Sequence, residues 1–246
     1  MKWQAEMALA SDAARLAADV LLGTFSHDAG VRSQIGKDIK TRADIDAEGL
    51  ITRHLSVSGL PIVGEETARD TSPTEGLRWL VDPLDGTMNF TRGFPMHAVS
   101  IALWDGPTPV LGVIYDLPRR LLYTGCCGVG AWRDGKPIRV SETDRSDQAI
   151  LATGFPTGRD YGARSLESFI LRVQAFKKIR MIGSAVLSLV MVAEGVFDTY
   201  LEEDIMIWDV AAGLALVNSA GGTIKMTAGR RPHAVTASAT NGRIHV

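Results

Sequence analysis

The sequence predicts an α+β fold of stacked helical and sheet layers, and two observations carry this. Segments with apolar residues at helical spacing and segments of continuous apolar run follow one another irregularly, not as repeated strand–helix–strand units. Mixed sheets flanked by helices therefore fit better than a barrel. The 246 residues, 46% hydrophobic and 22% charged, also suffice to bury a large core, as one unit or as two closely packed halves.

The elements follow in chain order. Met1 to Phe25 is rich in Ala and Leu but broken by Glu6, Asp12, Arg15 and Asp19. It reads as an amphipathic helix with Leu9, Leu16, Val20 and Leu21 inward, not as an export signal. Ser26 to Asp38 is polar and glycine-bearing and reads as a mobile loop. Ala43 to Val57 predicts a second helix with Ile45, Leu50, Ile51 and Leu55 on one side. Pro61 to Gly64 is a short strand ending at Glu65-Glu66, and Leu77 to Val81 a buried strand end. Ala98–Leu103, Val110–Tyr115 and Leu121–Thr124 are strands separated by turn residues, with a tight turn at Asp134-Gly135.

Near Ser141 a polar run breaks the apolar pattern and divides the chain into halves, 1–140 and 141–246. In the second half Ala149–Ala152, Lys178–Met181 and Val196–Leu201 read as strands. Ala163–Phe176, the segment from Ala185 to Glu194, and Trp208 to Ala220 read as helices, the last closed by Gly221-Gly222.

The formal net charge of −2 and the lack of a basic stripe with interleaved aromatics argue against a nucleic-acid binder. No run approaches the ~18 apolar residues that span a bilayer, so the expected address is the cytoplasm, away from membranes. Cys126 and Cys127 are adjacent, bridge poorly, and are expected to be free thiols in a reducing compartment. The five histidines are scattered and show no paired spacing for zinc.

The chemistry concentrates in Asp82-Pro83-Leu84-Asp85-Gly86-Thr87-Met88-Asn89-Phe90. Pro83 presets φ for a turn, so that Asp82 and Asp85 converge on a hard cation with the Leu84 carbonyl as a further oxygen. The N–H groups of Gly86 and Thr87, at a helix start, suit a phosphate. Cation ligands beside phosphate donors imply metal-assisted phosphoryl chemistry. Asp44, Glu65 and Asp209 also stand at element edges, where a single carboxylate is commonly a helix cap or a solvated group.

Gly64-Glu65-Glu66, Asp82-Pro83-Leu84-Asp85-Gly86-Thr87 and Trp208-Asp209-Val210-Ala211-Ala212-Gly213, in that order and spacing, resemble the inositol monophosphatase family. The likeness runs from Thr41 to Gly221-Gly222. It implies a layered α-β-α-β-α sandwich, a Mg²⁺-dependent phosphatase using two or three ions, and a homodimer. By the same likeness Glu65, Asp82, Asp85, Asp209 and the Leu84 carbonyl hold metal. Thr87 and Asp44, with Glu65, serve the attacking water, and Gly86 and Thr87 hold phosphate. Gly183, Ser184, Ala185 and Glu202 face the alcohol, with most ligands from 1–140 and Asp209 from 141–246.

The expected reaction is hydrolysis of a small phosphate monoester, foremost an inositol monophosphate, since the Asn89-Phe90 continuation is more like inositol phosphatases than nucleotide phosphatases. Relatives acting on 3′-phosphoadenosine 5′-phosphate, histidinol phosphate or fructose 1,6-bisphosphate share the same core. A non-catalytic protein holding Ca²⁺ or a phosphorylated ligand would have no need of the Thr87–Asp44 pair. Three local expectations accompany these. Met88 packs beneath the turn, Glu202-Glu203-Asp204 is an acidic run before a helix, and Thr236–Gly242 replaces the usual closing strand and loop.

Overall fold

The computed structural model describes residues 2–24, 31–35, 38–69, 74–156 and 158–245. Helix α1 (Gln4–Thr24) buries Ala10, Ala13, Ala14, Ala17, Ala18 and Leu21, a stripe at helical spacing that lets a neighbour approach closely. The inward face is thus mainly alanine. Leu16 and Val20, expected inside, are exposed. Phe25 of the expected first helix and residues 26–30, 36 and 37 of the expected loop lie outside the described residues, but β1 (Val31–Ile35) pairs antiparallel with β2 (Asp38–Thr41). Part of that segment is therefore a hairpin. Helix α2 (Arg42–Leu55) buries Asp44 and Glu48 on the same face as Ala47, Ile51 and Leu55, while Ile45 is exposed.

The first sheet has seven strands in sequential order: β3 (Ile62–Gly64), β4 (Leu77–Asp85), β5 (Ala98–Asp105), β6 (Thr108–Asp116), β7 (Leu121–Cys126), β8 (Gly130–Arg133) and β9 (Lys136–Pro137). Only β3 and β4 pair in parallel. The short α3 (Thr87–Thr91) follows β4. Trp79 and Val81 face the α1–α2 core while Leu80 faces the opposite one, the period-2 alternation of a strand covered on both sides.

The second sheet contains β10 (Ile150–Thr153), β11 (Lys178–Arg180), β12 (Thr199–Met206), β13 (Thr223–Ala228) and β14 (Ala234–Thr240), in the order β11-β10-β12-β14-β13. Thr236–Gly242 was expected to replace a closing strand; instead 234–240 is a strand between β12 and β13, antiparallel to both. The segment alternates small residues (Val235, Ala237 and Ala239 inward), a pattern too weakly apolar to announce a central strand.

Helices α5 (Ala185–Ala193) and α6 (Ile207–Ser219) lie between the sheets and are buried almost all round. α6 sits directly on the first sheet: a β-carbon on Gly112 would come 2.3 Å from the Ala212 carbonyl oxygen, and Trp104 Nε1 donates to Ala211 O at 3.2 Å. Helix α4 (Ala163–Gln174) completes the outer layer through Phe169, whose ring packs 4.9 Å from Phe155. The result is an α-β-α-β-α sandwich. Cys126 is buried, Cys127 half-buried, and both are free thiols. No helix among the described residues is long and apolar enough to cross a membrane.

Candidate active site

The Asp82–Asp85 segment is a bulged strand, not the turn that Pro83 suggested. Asp82 pairs with Ser100 and Asp85 with Ala98, so β4 carries one residue more than β5 across this stretch. Pro83 falls inside the bulge, where its missing N–H costs no ladder bond. The extra residue resets the alternation. Leu84 drops into the α1–α2 core, while Asp85 reaches toward the second half of the chain. Asp82 Oδ1 accepts the Leu84 N–H at 2.9 Å and so holds the bulge closed.

Gly86 ends the strand at φ 82°, and a β-carbon there would lie 2.6 Å from Met96 O. Both the left-handed backbone and the close approach demand glycine. Thr87 then opens α3. Its hydroxyl lies 3.2 Å from Asp44 Oδ1 and 3.0 Å from Leu84 O. Met88, expected beneath the turn, is 46% exposed and lines the cleft instead, because α3 directs it outward while Phe90 takes the buried position. Asn89 Nδ2 reaches Met96 O, Ile182 O and Gly183 O at 2.7, 2.9 and 3.0 Å, tying α3 to the segment before α5.

Ser184 caps α5: its hydroxyl accepts the Leu187 N–H at 3.0 Å and donates to Asp85 Oδ2, which also accepts the Val186 N–H at 3.2 Å. Asp209, third residue of α6, accepts the Met206 N–H, as an acid at this position of a helix often does. Capping and a ligand role are compatible, because a carboxylate has a second oxygen. Glu202 lies on β12, buried, not in a solvated run before a helix.

Glu65, Asp85, Gly86, Thr87, Gly183, Ser184, Ala185, Glu202 and Asp209 thus line one cleft of about 670 Å³ between the two sheets' ends. Asp82 and Asp44 are buried behind its floor. Burial raises the Asp82 carboxyl well above the ordinary range, and its charged neighbours Glu65, Asp85 and Asp209 push the same way. Asp209 is raised likewise, by burial and then by Glu65, Asp85 and Glu202. Burial takes Asp85 to about 7 against the opposing hydrogen bonds from Ser184 and the start of α5. Glu202 is pushed to about 8 by burial and by Asp85, with Arg159 opposing.

As the side chains stand, no three His, Cys, Asp or Glu residues among those described close on one point to hold an ion. The donor set nevertheless fits a hard divalent cation. It consists of carboxylate and carbonyl oxygens only, and its acids share buried negative charge that a cation would relieve.

Two further side chains at the site carried little sequence signal. Glu48, one turn after Asp44, accepts the Glu66 N–H at 2.8 Å and so fixes the loop after β3; its i,i+4 spacing from Asp44 was the available clue. His233 lies against Trp208 at 5.8 Å, and its Nε2 is 2.8 Å from Arg69 O. It thereby links the Glu65–Arg69 loop to the start of α6.

The whole chain has known counterparts. It matches the inositol monophosphatase family over residues 3–245. It is 36% identical to "Inositol monophosphatase 1" of Solanum lycopersicum over 229 residues, covering 89% of this chain and 83% of that protein. It is 38% identical to "Fructose-1,6-bisphosphatase/inositol-1-monophosphatase" of Aquifex aeolicus over 168 residues, covering 65% of this chain and 61% of that one. The solved inositol monophosphatase of Anabaena superposes with a TM-score of 0.83 at 31% identity, covering 99% of this chain and 93% of that chain. A match spanning both sheets and both central helices leaves one conclusion: the chain belongs to the inositol monophosphatase family, whose members hydrolyse phosphate monoesters.

Proposed function

We propose that this chain hydrolyses a small phosphate monoester, with an inositol monophosphate as first candidate, using water activated in a Mg²⁺ site. The observation that carries this reading is the Thr87–Asp44 contact, set beside acids from three separate segments on one cleft. A protein that merely binds phosphate has no use for a hydroxyl held against a buried carboxylate.

In this reading Glu65, Asp82, Asp85, Asp209 and the Leu84 carbonyl hold two or three Mg²⁺ ions. When bound, these would acidify water and stabilise the leaving alkoxide. The remaining work belongs to the protein. Thr87 and Asp44, with Glu65, orient the attacking water and receive its proton. The Gly86 and Thr87 N–H groups at the start of α3 hold phosphate oxygens, which have no covalent nucleophile to meet. Gly183, Ser184, Ala185 and Glu202 face the alcohol. Residues 1–140 supply most ligands and 141–246 supply Asp209 and the alcohol side. The same family likeness makes a homodimer part of the proposal, its mass testable by light scattering; the cytoplasmic address rests on the sequence reading alone.

The deciding assay is phosphate release from a panel of esters with Mg²⁺ and with chelator. Cation-dependent release from inositol monophosphates is expected. No release from any ester would overturn the reading.

A further inference from the structure

Tyr200 on β12 is 0% exposed, and the chemistry above leaves its hydroxyl without a task. Its partners on both neighbouring strands are alanines, Ala152 on β10 and Ala239 on β14, which leaves room for the ring. The ring joins the core formed by α5, α6 and the facing sides of the two sheets. Phenylalanine would fill that space equally well, with no polar atom to desolvate. The hydroxyl nevertheless has no closed hydrogen bond among the described residues. Buried tyrosine hydroxyls normally find a partner, so this one calls for a reason.

Glu202, two residues further along β12, projects from the same face of the strand and lines the cleft. Its carboxyl is packed on the Gly154 backbone, where a β-carbon would come 2.6 Å from Oε1. That contact blocks one direction but does not fix the plane of a carboxyl carried on three rotatable bonds. The phenol is the hydrogen-bonding neighbour of this carboxyl, short of closed geometry as the side chains stand. Burial, and then Glu202, Asp209 and Asp85, keep the phenol proton in place far above its ordinary range, so the hydroxyl stays a donor. A carboxyl oxygen accepts such a donor whether Glu202 is ionised or protonated, and its second oxygen remains for another group.

We propose that Tyr200 is the positioning residue for Glu202: its O–H donates to one carboxyl oxygen and so presents the other to a hydroxyl of the substrate's alcohol. This rests on the phosphatase reading and deepens its alcohol side. Tyr200 acts only through Glu202, so it governs how well a hydroxyl-bearing alcohol is bound and matters less for an alcohol without further hydroxyls.

The test is steady-state kinetics of the intact chain with Mg²⁺ on the best polyol ester of the panel above, inositol 1-phosphate first, and on phenyl phosphate, which has no hydroxyl for Glu202 to meet. In Tyr200→Phe the KM for the polyol ester should rise by about tenfold relative to any change on phenyl phosphate, the size of one hydrogen-bonded contact, with kcat moving less. Tyr200→Phe combined with Glu202→Ala should be no worse than Glu202→Ala alone, because both remove the same contact. Equal losses on the two esters, or additive losses in the double variant, overturn the inference and leave the phosphatase reading in place. Turnover of phenyl phosphate with no polyol ester accepted overturns it as well. A second measurement keeps Tyr200 itself: in Glu202→Ala the phenol loses its acceptor, so the near-ultraviolet difference spectrum against wild type should show a shifted tyrosine band. A flat difference spectrum overturns the inference. No release from any ester would bring down the phosphatase reading and the inference with it.

Discussion

Thr87 Oγ1 stands 3.2 Å from Asp44 Oδ1, joining the first residue of α3 to a buried carboxylate on α2. The same hydroxyl is 3.0 Å from Leu84 O, and its single proton serves one acceptor at a time. A hydroxyl poised between two acceptors keeps its own lone pairs available to a water. Thr87→Ala and Asp44→Asn should each lower kcat by a factor on the order of a hundred or more, the usual loss for a proton-accepting pair. The double variant should be little worse than either single one, because the two act as a unit. Thr87→Ser should retain most activity. Additive losses in single-turnover assays would contradict the pairing.

Asp85 is held by Ser184 and by the Val186 N–H at 3.2 Å, so one of its oxygens is already committed to the start of α5. Replacing it with Asn keeps the shape but removes charge that a catalytic cation needs. Asp85→Asn should cut turnover on the order of a hundredfold or more and weaken Mg²⁺ binding in calorimetric titration. Near-normal turnover in the folded variant would rule out the ligand role.

The raised carboxyl groups make stability depend on pH with a definite sign. Asp85, at about 7, and Glu202, at about 8, hold protons in the folded chain at pH values where the unfolded chain has lost them. Their contribution is present below the ordinary carboxylate range and is lost as pH rises through these folded values. In chelator the chain should therefore melt higher near pH 5 than near pH 8, by at least roughly 2–4 °C, the shift about 1 kcal/mol produces at this size. Millimolar Mg²⁺ should flatten the slope, since a cation replaces the protons on Asp85 and its acidic neighbours. Thermal scans showing the metal-free chain more stable at pH 8 would refute this.

Glu202 faces the cleft from β12 and stands outside the proposed ligand set. Glu202→Ala should change KM and the ranking of substrates by about tenfold while leaving Mg²⁺ affinity within a few-fold, as expected when a hydrogen-bonded contact to the alcohol is removed. A large loss of Mg²⁺ affinity in the titration would move Glu202 into the cation shell.

Much of the architecture was legible locally. The helices and strands of the first half are contiguous in sequence and bury their own residues at period 3.6 or 2, so Ala43–Val57 and Ala98–Leu103 announced themselves. The inward face of α1 was misread because alanine carries little hydrophobic signal, yet small side chains are what allow its close packing. β14 was missed for the same reason, and Met88 because a helix of five residues gives no periodicity to orient it.

What the sequence determined by itself was chemical: oxygen donors and phosphate donors packed into Asp82–Thr87, with Glu65 and Asp209 at distant element ends. Their order along the chain was enough for the family likeness. What only the tertiary structure decided was convergence. The bulge at Pro83 turns Asp85 toward Ser184, and the insertion of β14 between β12 and β13 brings Arg231 and His233 back beside Asp204 and Trp208. Strand order and side-chain aim depend on contacts between residues far apart in the chain, 99 positions for Asp85 and Ser184 and 27 for Arg231 and Asp204, and no local pattern of hydrophobicity or charge encodes them.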